Sequence, residues 1–183
     1  MSKQNMTFKE YYNQEIKAKL MTDLKLSNFY EAPRPLKIVL NVGAGEAVVN
    51  KNVLEKIAEQ ISIIAGQKAV ITKARVSISA FKIRKGLAIG VKVTLRGDRM
   101  YHFLEKLIKI VIPRLRDFKG ISESNVDGHG NLNIGFSEQT IFPEIEFDKV
   151  DKIRGLQVTV VTTAKSHEKG KKLFELLGVP FKK

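Results

Sequence analysis

The segment from Ala88 to Arg96 alternates strictly between apolar and polar side chains. The apolar positions are Ile89, Val91, Val93 and Leu95, and the polar or small ones between them are Gly90, Lys92, Thr94 and Arg96. A period of two puts the two sets on opposite faces of a β-strand. Because only one face is apolar, the strand belongs to a sheet that is covered on one side and open on the other.

Weaker signals of the same kind occur along the chain. Strands are predicted at 36–43, 68–73, 132–136 and 156–161. Helices are predicted after the capping box Thr7–Glu10, over 54–65 with Gly66 as terminator, after an Asp98 cap, and between Ser166 and Gly178. About five strands and four helices, with one apolar sheet face, indicate an α+β fold of two layers with the helices on one face.

The charge of the chain is strongly positive and unevenly placed. Lys and Arg total 32 against 19 Asp and Glu, which gives +13 over 183 residues. Between Gly66 and Gly97 there are eight basic residues and no acidic one, and the span 66–119 carries +11. Scattered solubilising charge alternates in sign, whereas this cluster does not, so a polyanionic partner is predicted.

The open sheet face carries hydrogen-bonding and basic side chains. Its predicted members are Lys37, Asn41, Lys92, Thr94, Arg96, Gln157 and Thr159. It lacks the aromatic side chains that stack on single-stranded bases, so it suits the phosphates and 2′-hydroxyls of folded RNA. A plain solvated sheet face also favours Thr and Lys and stays open as an alternative.

A basic loop, about residues 74–87, is a second candidate site. It mixes cations, small hydroxyls and apolar side chains without a clean periodicity. Such a loop can clamp a nucleic-acid surface by charge and apolar contact. Alternatively, Ile78, Phe81 and Ile83 pack into the core.

Signals of an enzyme or metal protein are poor. Gly43 and Gly45 follow a strand, but Val48 stands where a dinucleotide fingerprint needs a third small residue. The three histidines have no ligand spacing, and the chain has no cysteine. Glu144 and Glu146 are interpreted as surface acids, so no catalytic residue, no metal site, no cofactor and no small-molecule substrate are predicted. Neither a signal peptide nor an apolar run of membrane-spanning length is visible, and no membrane partner is expected.

Several ordered motifs carry a resemblance to a known family. They are Thr72-Lys73-Ala74-Arg75, Phe81-Lys82-Ile83-Arg84-Lys85-Gly86, Ile89 to Gly97, Met100-Tyr101-x-Phe103-Leu104, Pro113-Arg114-x-Arg116-Asp117-Phe118-x-Gly120, Gln139-x-Ile141-Phe142-Pro143-Glu144-Ile145 and Gly178-Val179-Pro180-Phe181. Together they resemble the bacterial large-subunit ribosomal protein number five, the family that binds 5S ribosomal RNA. The resemblance covers nearly the whole chain.

The resemblance implies a mainly antiparallel five-stranded sheet in an RNA-recognition-domain-like layout. The length of the chain suits one domain, so a single ribosomal RNA-binding domain is predicted over 1–183, with an N-terminal helical extension over about residues 1–32. The implied function is structural: the protein anchors 5S rRNA in the central protuberance of the large subunit. The residues implied to contact 5S rRNA are Asn41, Gly43, Gln67, Lys68, Lys73, Lys92, Thr94 and Arg96.

The resemblance also implies that the basic loop touches the elbow of P-site tRNA. The loop residues concerned are Arg75, Ser77, Ile78, Ser79, Ala80, Phe81, Lys82 and Arg84. Further implied partners are 23S-type rRNA nearby and neighbouring ribosomal proteins of the central protuberance and of the small-subunit head. The implied location is the cytoplasmic ribosome.

Four other functions stay open on sequence alone: a generic basic RNA-binding protein outside the ribosome, a binder of single-stranded RNA, a peripheral membrane protein and a nucleotide-using enzyme. A peripheral membrane protein would carry its basic residues on an amphipathic helix, whereas these lie in strands and a loop. A nucleotide-using enzyme would need a phosphate-binding loop, which the sequence lacks.

Overall fold

The computed structural model describes residues 6–50, 52–115, 118–146 and 150–182. Arg116 and Asp117 of the resemblance and the first five residues of the expected N-terminal extension lie outside these ranges. The chain divides into two compact units. The first comprises Met1–Ile38, Arg96–Ile134 and Thr159–Lys183, and the second Val39–Leu95 and Gly135–Val158. The single RNA-binding domain remains a prediction.

Over the part of the chain that the structure describes, five antiparallel strands form one sheet in the order β2-β3-β1-β5-β4. Their bounds are β1 Pro35–Gly43, β2 Val70–Lys73, β3 Ala88–Leu95, β4 Leu132–Phe136 and β5 Leu156–Thr162. The predicted α+β class with a five-stranded antiparallel sheet is confirmed.

In the described ranges, five α-helical segments accompany the sheet. They are α1 Phe8–Tyr11, α2 Lys17–Asp23, α3 Asn52–Ala65, α4 Gly97–Lys106 and α5 His167–Leu177. The π-helical segment Tyr12–Ile16 joins α1 to α2, and Leu107–Val111 extends α4 in the same way. Short 3-10 turns lie at Phe29–Glu31, Gly45–Val48, Ser79–Phe81, Ile112–Arg114, Glu123–Asn125 and Gln139–Ile141.

In the second unit, helix α3 packs on strand β3. The helix buries the predicted stripe Leu54, Ile57, Ile61 and Ile64, and β3 buries Val91, Val93 and Leu95 on the facing side. Gly66, with φ of 63°, ends the helix in the left-handed conformation that glycine adopts without strain. The chain then turns into edge strand β2, where Val70 lies opposite Lys92 and Thr72 opposite Gly90.

Gly90 is required by the tight packing of three strands. A Cβ atom at this position would lie 2.9 Å from Thr72 Oγ1 and 2.9 Å from the backbone oxygen of Val42. Neither distance is possible for a real side chain, and the Val42 oxygen belongs to backbone that cannot move away cheaply. The glycine therefore lets β1, β2 and β3 approach each other on the open face.

In the first unit, the N-terminal helical region begins as predicted. The Thr7 hydroxyl accepts the Glu10 N–H, and the Glu10 carboxylate accepts the Thr7 N–H over 2.8 Å. The predicted stripe Phe8, Tyr12, Ile16 and Leu20 is buried. The Tyr12 hydroxyl donates to the Pro33 carbonyl over 2.9 Å, and burial raises the pKa of that hydroxyl.

The predicted Asp98 cap of helix α4 is wrong. The helix starts at Gly97, Arg96 occupies the cap position without a side-chain bond, and Asp98 lies in the first turn. The Asp98 carboxylate instead accepts Lys9 Nζ at 2.8 Å, so it ties α4 to the N-terminal helical region. At α5 the predicted Ser166 cap is confirmed, because its hydroxyl accepts the Lys169 N–H. The helix ends at Gly178 with φ of 94°.

Candidate nucleic-acid interface

The predicted sheet-face residues lie where the strand alternation places them. Asn41 and Gly43 at the end of β1 and Lys92 in β3 are exposed, and Thr94 is half-buried. Arg96 is exposed one residue beyond the end of β3. Strands β1, β2 and β3 contain no aromatic residue. This part of the open face therefore offers charge and hydrogen bonds but no stacking surface.

The turn between α3 and β2 brings Gln67 to the side of β3. The Gln67 side-chain nitrogen donates to the Thr94 carbonyl over 3.3 Å. The Ser62 hydroxyl accepts the Ala69 N–H over 2.9 Å, which fixes the chain leaving the helix. Lys68 follows Gln67 with an exposed side chain. The structure thus joins the predicted Gln67–Lys68 pair to the strand that carries Lys92 and Thr94.

Residues 74–87, expected to form a loop without regular structure, contain a small hairpin. At its base Ala74 N–H donates to the Leu87 carbonyl over 2.8 Å, and Gly86 N–H donates to the Ala74 carbonyl over 2.9 Å. Further out, Ile78 and Ile83 exchange backbone hydrogen bonds of 2.8 and 3.1 Å as an isolated bridge. The tip is the 3-10 turn Ser79–Phe81. These bonds give the basic segment a defined shape, so we call residues 74–87 the basic hairpin.

The apolar side chains at the end of the basic hairpin face solvent. Phe81 is 69% exposed, Val76 67% and Ile78 45%, while Ile83 is half-buried. The alternative that Ile78 and Phe81 pack into the core is therefore wrong. An aromatic ring and two β-branched side chains instead share a surface with the cations of the hairpin.

The cations of residues 66–97 lack carboxylate partners among the residues that the structure describes. Within the described residues, none of them forms an ion pair: Lys68, Lys73, Arg75, Lys82, Arg84, Lys85, Lys92 and Arg96. Elsewhere, by contrast, Lys56, Lys152 and Arg154 each contact a carboxylate. Unpaired cations of one sign on a strand face and a hairpin raise the local positive potential and attract polyanions.

An ion-pair network beside the predicted site was not foreseen. Arg154 Nε donates to Glu46 at 2.7 Å and its terminal nitrogen to Asp151 at 2.8 Å, and the Arg154 side chain is only 8% exposed. Lys152 Nζ donates to the other Glu46 oxygen at 2.9 Å. Glu46 lies in the 3-10 turn that follows Gly43, so the network anchors the chain leaving β1. No local pattern could have indicated it, because Glu46 and Arg154 are 108 positions apart.

These contacts shift the pKa of the two carboxyl groups downward. Hydrogen bonds from Lys152 and Arg154 lower the pKa of Glu46. The Arg154 guanidinium lowers the pKa of Asp151 to about 2. Both groups are therefore ionised in ordinary buffers, and their charges offset the cations that contact them, whereas the cations of residues 66–97 have no such partner among the described residues.

Groups suited to catalysis are scattered in the described ranges. His129 lies exposed in a turn whose backbone is held by Asp127, and His167 Nδ1 lies 3.0 Å from the Val126 carbonyl. Over these ranges no group of three His, Cys, Asp or Glu side chains could hold a metal ion. Glu144 and Glu146, together with Lys56 and Glu59, line a groove of about 490 Å³ that the sequence had not indicated.

None of the described helices is long and apolar enough to cross a membrane.

Fold and surface together define a class: a small α+β protein whose antiparallel sheet and hairpin present an unpaired basic surface. Comparison with known proteins narrows that class. Residues 28–84 match the family model described as Ribosomal protein L5, and residues 88–181 match the model for the C-terminus of the same ribosomal family.

Curated relatives match over nearly their full length. A large ribosomal subunit protein uL5 from Synechococcus sp. (strain RCC307) is 51% identical, covering 97% of this chain and 99% of the relative. Those from Thermoanaerobacter sp. (strain X514) and Fervidobacterium nodosum are 53% and 50% identical, and the latter alignment covers 100% of both chains.

The chain belongs to the ribosomal protein L5 family. It is a structural, non-enzymatic protein of the large ribosomal subunit and is located in the cytoplasmic ribosome. Its partners are ribosomal RNA and other ribosomal proteins.

Proposed function

We propose that this protein anchors 5S rRNA in the central protuberance through the open sheet face, and contacts P-site tRNA through the basic hairpin. The observation that carries the proposal is the set of unpaired cations in residues 66–97 of a large-subunit ribosomal protein. Ribosomal RNA supplies the phosphates that neutralise them.

The sheet face supplies the proposed 5S rRNA contacts. Lys92 and Arg96 neutralise phosphates, and Asn41 and Thr94 offer hydrogen bonds to sugar hydroxyls and phosphate oxygens. Gln67, Lys68 and Lys73 extend this surface along the α3–β2 turn and edge strand β2, and Gly43 allows close approach of the backbone. Since β1 to β3 lack aromatic residues, the surface favours the backbone of folded RNA over splayed bases.

The basic hairpin supplies the proposed tRNA contact. Its cations Arg75, Lys82 and Arg84 are exposed, and its tip presents Phe81 and Ile78. The hydroxyl and small residues Ser77, Ser79 and Ala80 let the backbone come close to a sugar–phosphate chain. A contact of this kind recognises shape and charge rather than sequence, as a site that accepts every tRNA requires.

The first experiment measures binding of folded 5S rRNA in competition with excess unrelated structured RNA, across a salt series. If about five phosphates are contacted, log K against log salt has a slope of roughly −3.5 to −4.5. Reversing Lys92 and Arg96 to Glu should abolish specific binding while the circular dichroism spectrum stays unchanged. A matched control reverses the exposed Lys119 and Lys182 to Glu, which changes the net charge equally.

Two outcomes of this experiment would count against the proposal. If unrelated RNA displaces 5S rRNA equally well, the chain is only a generic basic RNA binder. If both double variants lose the same affinity, net charge rather than the sheet face determines binding.

The hairpin contact needs a ribosomal assay. Replacing Arg75, Lys82 and Arg84 with Ala should leave 5S rRNA affinity within about twofold, and speed the dissociation of tRNA from the P site of ribosomes carrying the variant. Unchanged tRNA dissociation would overturn the hairpin assignment without affecting the sheet-face assignment.

A further inference from the structure

A second aromatic and cationic surface lies in the first unit, away from residues 66–97 in sequence. Tyr30, in the 3-10 turn Phe29–Glu31, is 88% exposed, and Phe29 is 48% exposed. A large aromatic side chain that remains almost wholly in water loses the gain of burial, and neighbouring exposed aromatics of this kind mark interaction sites.

Two hydrogen bonds and one contact between aromatic rings support the turn that carries Tyr30. Asn28 Oδ1 accepts the Tyr30 N–H over 2.8 Å, so the backbone under the ring is capped. The Glu31 carboxylate accepts Lys169 Nζ at 2.7 Å and ties the turn to helix α5. The Phe29 ring meets the Tyr30 ring edge to face, with centroids 6.0 Å apart. Tyr30 is therefore presented by a supported turn.

The cation of Lys17 lies against both rings. Lys17 Nζ lies 3.3 Å from the centre of the Phe29 ring and 5.5 Å from that of Tyr30. Arg34 is exposed four residues after Tyr30 in the chain. Desolvation, and then the charge of Arg34, lowers the pKa of Lys17, which agrees with that placement. Within the described residues neither Lys17 nor Arg34 forms an ion pair, whereas the nearby Glu31 is neutralised by Lys169.

A flat exposed ring flanked by unpaired cations fits one kind of partner. Bases stack on aromatic rings, and the adjoining phosphates meet the cations. Strands β1 to β3, which lack aromatic residues, cannot supply this contact. We propose that Tyr30, with Phe29, Lys17 and Arg34, forms a stacking site for an unpaired base of ribosomal RNA. The inference rests on rRNA binding by this chain and adds a contact of different chemistry.

The absence of tryptophan from the sequence permits a direct test. In Tyr30→Trp the new indole is the only one in the protein, and it retains the stacking surface. The matched control is Ile63→Trp, at a half-exposed position on helix α3 in the groove lined by Glu59, Glu144 and Glu146. The probes are folded 5S rRNA and deproteinised large-subunit rRNA, added separately while binding is followed by filter retention.

Stacking on a base quenches indole fluorescence. We expect quenching of Tyr30→Trp by at least one of the two RNAs, with no quenching of Ile63→Trp. Tyr30→Ala should bind the same RNA about tenfold more weakly, and Tyr30→Trp should bind it as tightly as the wild type. Because Tyr30 is exposed, all three variants should fold, which a thermal melt verifies.

The outcomes separate this inference from the proposed function. RNA binding without quenching would overturn the stacking site and leave the sheet-face proposal standing. If neither the wild type nor any variant binds 5S rRNA specifically, the proposed function is rejected. Quenching of Tyr30→Trp by large-subunit rRNA would still support the stacking site in that case. Quenching by RNA-free large-subunit proteins alone would replace the RNA base with a protein partner and overturn the inference.

Discussion

The guanidinium of Arg154 joins Glu46 and Asp151, which contact its Nε and a terminal nitrogen at 2.7 and 2.8 Å. Arg154 therefore links the segment before β5 to the turn after β1. Because the Arg154 side chain is 8% exposed and both carboxylates are about one-third exposed, its removal leaves two charges with incomplete solvation.

Arg154→Met should lower the free energy of unfolding by about 1–3 kcal/mol, because two charge-assisted contacts are lost and the carboxylates only partly regain water. Urea denaturation measures the change. Lys152→Met is the control. The Lys152 side chain pairs with the same Glu46 but is 62% exposed, so this variant should lose less than about 1 kcal/mol of unfolding free energy. Equal losses for the two variants would contradict a special role for Arg154.

The carboxyl group of Asp151 makes the free energy of unfolding depend on pH in the acidic range. Its pKa of about 2 lies below the ordinary aspartate value of about 3.9, so the folded state binds this proton less readily than the unfolded state. The contribution to stability is complete above about pH 4 and disappears as the pH falls through about 2. Asp151→Asn should be less stable than the wild type at pH 6, and the gap should narrow between pH 4 and 2. A stability difference between the two proteins that does not depend on pH would contradict the lowered pKa of Asp151.

Gly90→Ala should destabilise the protein by about 1–3 kcal/mol, since the new methyl group would collide with Thr72 Oγ1 and the Val42 backbone oxygen. Gly135→Ala in β4 is the matched control. A Cβ there has nothing within 4 Å, so the change should be neutral or slightly stabilising. Thermal unfolding of the two variants compares them, and similar melting temperatures would be incompatible with the packing at Gly90.

Phe81→Ser should change the free energy of unfolding by less than about 0.5 kcal/mol, because a ring that is 69% exposed contributes little to the core. Phe142→Ser should cost about 3–5 kcal/mol, since Phe142 is fully buried and meets the Phe136 ring edge to face at 5.8 Å. Chemical denaturation distinguishes the two. A large loss for Phe81→Ser would mean that the hairpin tip packs onto the protein.

The sequence predicted those parts of the fold that depend on local period and capping. The alternation in β3, the stripe of α3 and the Ser166 cap all follow from neighbours within a few residues. The Asp98 cap failed because the helix begins at Gly97, two residues before the start that such a cap implies, and the carboxylate instead accepts Lys9, 89 positions away.

Sequence reasoning located the cations of the candidate site but not its shape. The hairpin was missed because its single bridge, Ile78 with Ile83, is too short to produce a periodic pattern. The support that Arg154 gives to the turn after β1, and the exposure of Tyr30, depend on tertiary packing that no local window contains.

The backbone bonds between Ile78 and Ile83, and those at the base of the hairpin, have a thermodynamic consequence. The entropy of ordering this segment is lost when the protein folds, before any RNA arrives. A hairpin that is already folded binds RNA with a small change in heat capacity, whereas a segment that folds on binding shows a large negative change. The heat capacity change that calorimetry measures when the basic hairpin binds RNA should therefore be small, as for the docking of a rigid surface.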